Sequence, residues 1–269
     1  MLPDRDALLR WYDRVRRPLP WRATRDPYAL LVSEVMLQQT QAARVVPYYE
    51  AFLARFPDAA ALAAAPACDV LAAWSGLGYN RRALALQAAA RAVAAEGWPA
   101  DLTRLPGVGP YTAAAVGAFA WDRQVAAVDT NVTRVISRWD GAAPAGRALA
   151  GRAAEWLPRG RAAEFNQAMM ELGATVCTAR APRCGECPLA PGCAAAAAGG
   201  PELAPRAARR ATPRFEDTDR WARGRIVAAL VAGEALPALE VARRERALSG
   251  LERDGLVVRS ADGRVRIPS

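Results

Sequence analysis

Four cysteines near residue 185 place the strongest single constraint on how this chain can fold. They are Cys177, Cys184, Cys187 and Cys193, with the spacing C-x6-C-x2-C-x5-C. Four cysteines so close together, in a chain that reads as cytoplasmic, indicate metal ligands rather than disulfides. A structural zinc ion and a 4Fe-4S cluster both accept four thiolates, so residue type alone leaves the two open. The fifth cysteine, Cys68, stands among apolar residues, and we expect it to be a small buried side chain.

The chain before the cysteines shows apolar positions at helical spacing, in alanine-rich runs broken by proline and glycine. No convincing run of alternating strand residues occurs there. With 269 residues and 52% hydrophobic content, the chain can bury one large core or two moderate ones. The pattern predicts a mostly α-helical domain over residues 1–193 that ends in the cysteine loop at 177–193.

The remaining residues predict a linker and a small second module. Residues 194–213 are rich in alanine, glycine, proline and arginine, and we interpret them as the linker. In the module, residues 214–269, a helix starts after Asp217 or Thr218, a second covers 243–253, and a hairpin follows around 261–263. This order predicts a winged-helix-like fold, for which DNA binding and a packing role are equally compatible.

The absence of lysine and histidine excludes several reaction classes. All 36 basic residues are arginine, and the sequence contains neither lysine nor histidine. A Walker phosphate loop, a lysine Schiff base, an HExxH zinc site and a Ser-His-Asp triad are therefore ruled out. The net charge of +9 suits a phosphate backbone, although an acidic membrane surface would also attract it. Because no apolar run approaches the roughly 20 residues of a membrane span, we expect a cytoplasmic protein with no membrane partner.

The octet from Leu105 to Thr112 has the features of a tight turn between two helices. Gly107 and Gly109 flank Val108, and Pro110 stands where the next helix would begin. Backbone amides at a helix start point outward and favour a phosphate there. We therefore predict a helix-hairpin-helix element that holds DNA without reading its sequence. An ordinary turn between two helices that needs glycine is the alternative.

Two carboxyl groups stand out as candidates for hydrolysing a nucleoside bond, which needs an acid for the leaving base and an anion beside the sugar cation. Glu34 lies in a largely apolar helix, where loss of water favours the protonated acid. Asp129 follows an apolar run and is placed to cap the next helix, which favours its ionised form. A solvated surface position for Glu34 and simple capping by Asp129 are the alternatives.

Seven motifs in order resemble the A/G-mismatch adenine DNA glycosylases, the MutY family, over roughly residues 8–193. They are Leu19 to Arg22, Ser33 to Gln41, Gly76 to Tyr79, Leu105 to Thr112, Val128 to Val132, Phe165 to Gly173, and the cysteine loop. The resemblance implies the helix-hairpin-helix glycosylase fold, with two helical lobes and a 4Fe-4S cluster loop. It favours the cluster over zinc at the four cysteines.

The resemblance also implies roles for individual residues. Glu34 would protonate the flipped adenine and Asp129 would stabilise the sugar cation, assisted by Tyr111 and Asn131. The remaining assignments are Trp21, Arg22 and Glu171 in the adenine pocket, Leu37, Gln39 and Tyr79 beside the opposite base, and Gly107, Val108 and Gly109 at the phosphate. A plain core role is the alternative for each pocket residue.

The implied function is removal of adenine opposite 8-oxoguanine or guanine in duplex DNA, by a bacterial, nucleoid-associated monomer. Relatives that cut the strand carry a lysine at position 111, so this chain would release the base only. Residues 215–269 look too short for the Nudix-like domain that reads 8-oxoguanine in the family, which leaves the opposite base open. A thymine or uracil glycosylase acting opposite guanine is the nearest alternative, and a non-catalytic iron-sulfur DNA-binding regulator is one of another class.

Overall fold

The computed structural model describes residues 2–201, 213–260 and 263–268, and these are predominantly helical. The helices are α1 (Arg5–Val15), α2 (Pro27–Leu37), α3 (Ala42–Arg55), α4 (Ala59–Ala64), α5 (Ala67–Trp74), α6 (Arg81–Glu96), α7 (Pro110–Trp121), α8 (Thr130–Asp140), α9 (Gly146–Trp156), α10 (Ala162–Thr175), α11 (Ala194–Ala197), α12 (Asp219–Ala232) and α13 (Val241–Arg253). Two short strands, β1 (Val258–Arg259) and β2 (Val265–Arg266), pair antiparallel. The mostly helical prediction is confirmed. Across the described ranges, no helix has the length and apolar character needed to span a membrane.

The chain forms two compact units, each assembled from two segments. The first comprises Met1–Leu30 and Val108–Arg206, and the second comprises Leu31–Gly107 and Ala207–Ser269. Residues 202–212 of the predicted linker and residues 261–262 of the predicted hairpin turn lie outside the described residues. The predicted domain boundaries stay predictions.

The core of the first unit is built around α10, which packs against α1, α7 and α8. On α8, four apolar side chains between Val132 and Trp139 are buried. The Trp139 ring meets the Trp156 ring edge to face, with 5.3 Å between their centroids. Since Asp129 is the cap that begins α8, this packing determines where its carboxylate lies.

The core of the second unit combines aromatic side chains with the alanine-rich helix α6. The Phe52 ring lies 5.9 Å from that of Trp74 in an edge-to-face contact between α3 and α5. Buried Gln87 of α6 donates a hydrogen bond of 2.6 Å to the carbonyl of Ala65, just after α4. This bond satisfies a carbonyl that the end of a helix leaves unpaired.

Cys68 corrects one expectation from the sequence. The residue is exposed, not buried. It occupies the second position of α5, whose buried face is formed by Ala67, Val70, Leu71 and Trp74. Position 68 falls outside that buried face of the helix, so apolar neighbours in sequence did not imply burial.

The C-terminal module contains a 3-10 turn (Phe215–Asp217), α12, α13 and the β1–β2 pair. Thr218 caps α12 by accepting a hydrogen bond from the Trp221 amide at 3.2 Å. α12 packs against α13 and also against α5 of the same unit. The winged-helix-like fold of this module stays a prediction.

Candidate active site

Glu34 lies on α2, which is buried on almost every side. Every residue from Tyr28 to Met36 is buried, and Glu34 itself is 5% exposed. Carboxyl groups are rarely buried this completely, because water solvates them far better than apolar surroundings do. Glu34 is therefore shielded from solvent, as expected of a carboxyl group that donates a proton. Its role stays a prediction.

Asp129 caps α8 with one carboxylate oxygen and binds a side chain with the other. Its Oδ1 accepts from the Val132 amide at 2.7 Å, and its Oδ2 accepts from Asn131 Nδ2 at 2.8 Å. The positive end of the helix dipole also favours an anion here. Capping and a charged role are thus combined in one half-buried carboxylate.

Arg134 connects Asn131 to the beginning of the cysteine loop. Its Nη2 donates to Asn131 Oδ1 at 2.8 Å and to the Gly173 carbonyl at 2.7 Å, while Nε donates to the Cys177 carbonyl at 2.8 Å. A guanidinium holds such contacts in a fixed plane. Arg134 therefore connects the cysteine loop to Asn131, which in turn donates to Asp129. The sequence did not single out Arg134.

The four cysteines line one cavity together with Arg138. In the part of the chain that the structure describes, no three His, Cys, Asp or Glu side chains converge as ligands of a single metal ion. A four-iron cluster takes each thiolate on a separate iron, so four thiolates spread around one cavity fit it.

Arg138 fastens the same loop to α8. Its Nη1 donates to Cys177 Sγ at 3.4 Å and to the Thr178 carbonyl at 2.7 Å, and its Nη2 donates to the Ala179 carbonyl at 3.0 Å. Donors beside the sulfurs stabilise a negatively charged iron-sulfur centre. Burial, followed by the neighbouring cysteines, raises the pKa of the Cys187 thiol to about 11 when no metal is bound.

Glu171 forms a buried ion-pair cluster with two arginines. Arg17 Nε and Nη2 donate to its two oxygens at 2.7 and 2.8 Å, and Arg22 Nη2 donates at 2.6 Å. Burial raises the pKa of Glu171, but the hydrogen bonds from Arg17 and Arg22 outweigh it, so the pKa lies below the usual 4.5. The carboxylate is ionised and holds the turn that contains Trp21, which is 6% exposed.

Of the predicted pocket residues, Arg22 and Glu171 are in direct contact, Trp21 precedes Arg22 in the same turn, and Arg17 joins the cluster. Tyr111, in the first turn of α7, lies beside α10, with its hydroxyl 3.8 Å from Met170 Sδ. Whether these side chains contact a base stays a prediction.

The predicted hairpin lies where the Leu31–Gly107 segment of the second unit is followed along the chain by the Val108–Arg206 segment of the first. Gly107 has φ +74°, and a Cβ there would lie 2.7 Å from the Ala85 Cβ, so both conformation and space require glycine. Gly109 is the N-cap of α7, Pro110 its first residue, and the Val108 side chain is buried. Gly107 and Gly109 are both exposed, and the phosphate contact assigned to them stays a prediction.

Arg82 shapes the surface that carries Gln39 and Tyr79. Its Nη1 donates to the carbonyls of Val35 at 2.7 Å and Gln38 at 2.6 Å, and its Nη2 to that of Gly78 at 3.1 Å. Gln39 and Tyr79 have φ of 57° and 50°, in the left-handed region that non-glycine residues rarely adopt. Arg82 thus holds together two strained loops that both line one groove, whereas Leu37 is half-buried outside that groove.

The chain matches two known families in the regions described above. Residues 32–159 match the HhH-GPD superfamily of base excision DNA repair proteins. Residues 177–193 match the iron-sulfur binding domain of endonuclease III. The second match confirms the prediction that the cysteine loop binds an iron-sulfur cluster.

Individual proteins narrow the assignment. The adenine DNA glycosylase of Mycolicibacterium smegmatis is 47% identical over 277 residues, covering 96% of this chain and 93% of that protein. The adenine DNA glycosylase of Homo sapiens is 43% identical over 206 residues, covering 69% of this chain and 38% of that protein. A solved thermostable thymine-DNA glycosylase aligns with a TM-score of 0.68 at 31% identity, covering 72% of this chain and 95% of that one. The chain belongs to the adenine DNA glycosylase family, within the helix-hairpin-helix superfamily of base excision repair proteins.

Proposed function

We propose that this protein hydrolyses the bond between adenine and deoxyribose in duplex DNA, at adenines mispaired with 8-oxoguanine or guanine. The observation that carries the proposal is Asp129, whose two oxygens are fixed by the α8 amide and by Asn131. A fixed anion stabilises the sugar cation that forms as the base leaves, without reorganising in the transition state. The high identity to adenine DNA glycosylases over nearly the whole chain supports adenine as the base.

Glu34 supplies the proton for the leaving base in this proposal. A departing adenine is a poor leaving group until a ring nitrogen accepts a proton. Glu34 is buried on α2, away from the water that would otherwise compete for its proton. Trp21, Arg22 and Glu171 form the surroundings of the base, while Tyr111 and Asn131 assist at the sugar.

The protein releases the base and leaves the strand intact. Strand cleavage by lysine attack on the sugar requires an amine side chain, and the sequence has no lysine. The abasic product would then break only after alkali treatment. The amides of Gly107, Val108 and Gly109 hold a backbone phosphate, and Leu37, Gln39 and Tyr79 fill the space beside the mispaired base.

The cluster has a binding role rather than a redox one in the proposed reaction. Cys177, Cys184, Cys187 and Cys193 hold it, and when bound it supplies a compact anchor. That anchor fixes the two arginines inside the loop, Arg180 and Arg183, toward DNA phosphates. Base hydrolysis transfers no electrons, so no step requires its oxidation or reduction. We further propose that the protein acts as a monomer on nucleoid DNA.

The first test is a panel of duplexes that crosses adenine, thymine and uracil against guanine, 8-oxoguanine and cytosine. We expect release of adenine opposite 8-oxoguanine and guanine, with strand breaks only after alkali. Faster release of thymine or uracil opposite guanine would show that this base, and not adenine, is the substrate. No base release from any duplex, by a protein that still binds DNA, would favour the non-catalytic alternative.

The second test separates the charge of Asp129 from its capping role. Asparagine caps helices as well as aspartate does, so Asp129→Asn keeps the fold and removes the anion. We expect the single-turnover rate to fall by about 10²–10⁴-fold, with duplex affinity largely retained. Asp58→Asn is the matched control, because Asp58 caps α4 through the Ala61 amide at 2.8 Å.

Glu34 is tested in the same way. Glu34→Gln keeps the size of the side chain and removes the acid, so we expect a similar loss of rate with intact binding. Glu50→Gln, at an exposed position of the same unit, is the control. Equal rates for Glu34→Gln and the control would remove Glu34 from the mechanism.

A further inference from the structure

A large groove in the second unit is lined by both of that unit's segments. Its volume is about 1580 Å³. Gln39 and Tyr79 line it from the Leu31–Gly107 segment, while Phe215 and Arg220 line it from the C-terminal module. The module therefore contributes to the same surface as the residues assigned above to the mispaired base.

Arg220 is held against Tyr79 by two kinds of contact. Its guanidinium carbon lies 4.4 Å from the centroid of the Tyr79 ring, and its Nη1 donates to the Tyr79 hydroxyl at 3.0 Å. The ring of Phe215 lies 5.5 Å away. Both rings are large and exposed, at 41% for Tyr79 and 53% for Phe215. Aromatic contacts fix the plane of a guanidinium while leaving most of its five N–H donors available.

The groove carries a surplus of positive charge. Its charged lining residues are Arg44, Arg81, Arg82, Arg220, Arg223, Arg225, Asp219 and Asp254. Both acids are already paired, Asp254 with Arg223 and Asp219 with Arg246 at 3.3 Å. Among the described residues, neither Arg220 nor Arg225 has a carboxylate partner, and both are exposed. Exposed aromatic rings beside unpaired arginines are typical of a surface that binds nucleic acid.

We infer that the C-terminal module is part of the DNA-binding surface, and that Arg220 donates to an acceptor oxygen on the strand opposite the excised adenine. This inference rests on the proposed function, in which Tyr79 lies beside the mispaired nucleotide. The oxygen belongs either to a carbonyl of the opposite guanine or 8-oxoguanine, or to a phosphate that flanks it. Arginine matches both, because its planar donors pair with the edge of guanine and with phosphate.

The competing explanation is that Arg220 only fastens the module to Tyr79. That role would affect unfolding of the module but not the way in which affinity depends on salt or on the opposite base. The two explanations are therefore distinguished by measuring DNA binding together with thermal unfolding.

The experiment compares Arg220→Met with Arg253→Met, an exposed arginine of the same module outside the groove. Equilibrium binding is measured in the slow Asp129→Asn background, with adenine opposite 8-oxoguanine, guanine and cytosine, over a range of salt concentrations. We expect Arg220→Met to weaken binding by about tenfold relative to the control. Equal affinities and equal salt dependence for the two variants would overturn the inference.

The pattern of the loss identifies the oxygen. A phosphate contact predicts the same loss for all three duplexes and a reduction of about 1 in the slope of log affinity against log salt. A base contact predicts a loss confined to guanine and 8-oxoguanine. If Arg220→Met unfolds the module, Arg220→Lys is used instead, since lysine keeps the charge but not the planar donors.

The outcome is separable from that of the proposed function, because base release by the wild-type protein is measured independently. If the wild-type protein releases adenine and Arg220→Met does not change DNA binding, only this inference is wrong. If Arg220→Met weakens DNA binding and the wild-type protein releases no adenine, only the proposed function is wrong.

Discussion

The two compact units each use an arginine to connect backbone segments that are far apart in sequence, but the groups connected differ. In the first unit, Arg134 connects Asn131, the partner of Asp129, to the start of the cysteine loop. In the second, Arg82 connects the end of α2 to the loop before Tyr79 through backbone carbonyls. The first arrangement orients a charged group, and the second shapes a surface. Damage to the first should lower the rate of base release, and damage to the second should change which mispair is selected.

Among the variants that compare the two units, the largest effect is expected from removing a cluster ligand. Cys187→Ser should eliminate the bound iron and the brown colour, and lower the rate of base release by at least about 100-fold, because the loop that anchors α8 loses its centre. Iron content, visible absorption and single-turnover rate are the measurements. Cys68→Ser is the control, since Cys68 is exposed and lies in the other unit. A Cys187→Ser protein with full iron would contradict the ligand assignment.

Arg134→Met tests the connection in the first unit directly. We expect the rate of base release to fall by about 10–100-fold, which is typical when a residue that hydrogen-bonds to a ligand or catalytic residue and orients it is removed. The selectivity for the opposite base should stay unchanged. Arg147→Met, an exposed position on α9, is the control. If Arg134→Met loses selectivity for the opposite base while its rate of base release is unchanged, the roles assigned to the two units would be wrong.

Arg82→Met tests the connection in the second unit. Without the guanidinium, the loops that hold Gln39 and Tyr79 lose their common donor, and each buried carbonyl left unpaired costs about 1–3 kcal/mol. We expect the preference for adenine opposite 8-oxoguanine over adenine opposite cytosine to fall by about tenfold. Arg91→Met on the same helix is the control, because Arg91 donates only to the Ala63 carbonyl among the described residues. An equal loss on every duplex would mean that Arg82 supports folding alone.

The smallest effect concerns acid stability in the first unit. The pKa of Glu171 is lowered in the folded protein, so the unfolded chain binds more protons in the range just below 4.5. The stability from this carboxylate is present above pH 4.5 and is lost as the pH falls through its folded pKa. Wild-type protein should therefore lose its advantage over Glu171→Gln on acidification, measured as the difference in Tm. Glu164→Gln, at the surface ion pair with Arg161, is the control, and a constant difference with pH would refute the assignment.

Features that depend on a few neighbouring residues were predictable from the sequence. The cap at Asp129 and the cap at Thr218 each involve an amide three residues further along the chain. The turn at Gly107 was indicated by its own glycines, whereas its close approach to Ala85 was not. The helical content and the cysteine loop were predictable for the same reason. Helical spacing around Glu34 indicated an apolar helix, and the structure shows that the helix is buried on nearly every side.

The long-range arginine contacts were not predictable, because those partners are far away in sequence. Arg17 reaches Glu171 across 154 positions, and Arg82 reaches Gln38 across 44. With 36 basic residues that are all arginine, no composition signal distinguishes a buried guanidinium from a solvated one. The exposure of Cys68 was missed for a related reason, since the packing of α5 rather than the local sequence decides which side faces the core.

The left-handed backbone at Tyr79 has a consequence for protein engineering. A non-glycine residue with φ near 50° carries a conformational cost of about 1–3 kcal/mol, which glycine or asparagine would largely relieve. A library selected only for heat tolerance should therefore drift away from tyrosine at this position. Such variants would survive higher temperatures while losing the ring that Arg220 stacks on. Screens of this enzyme for thermostability should accordingly include a mispair assay in every round.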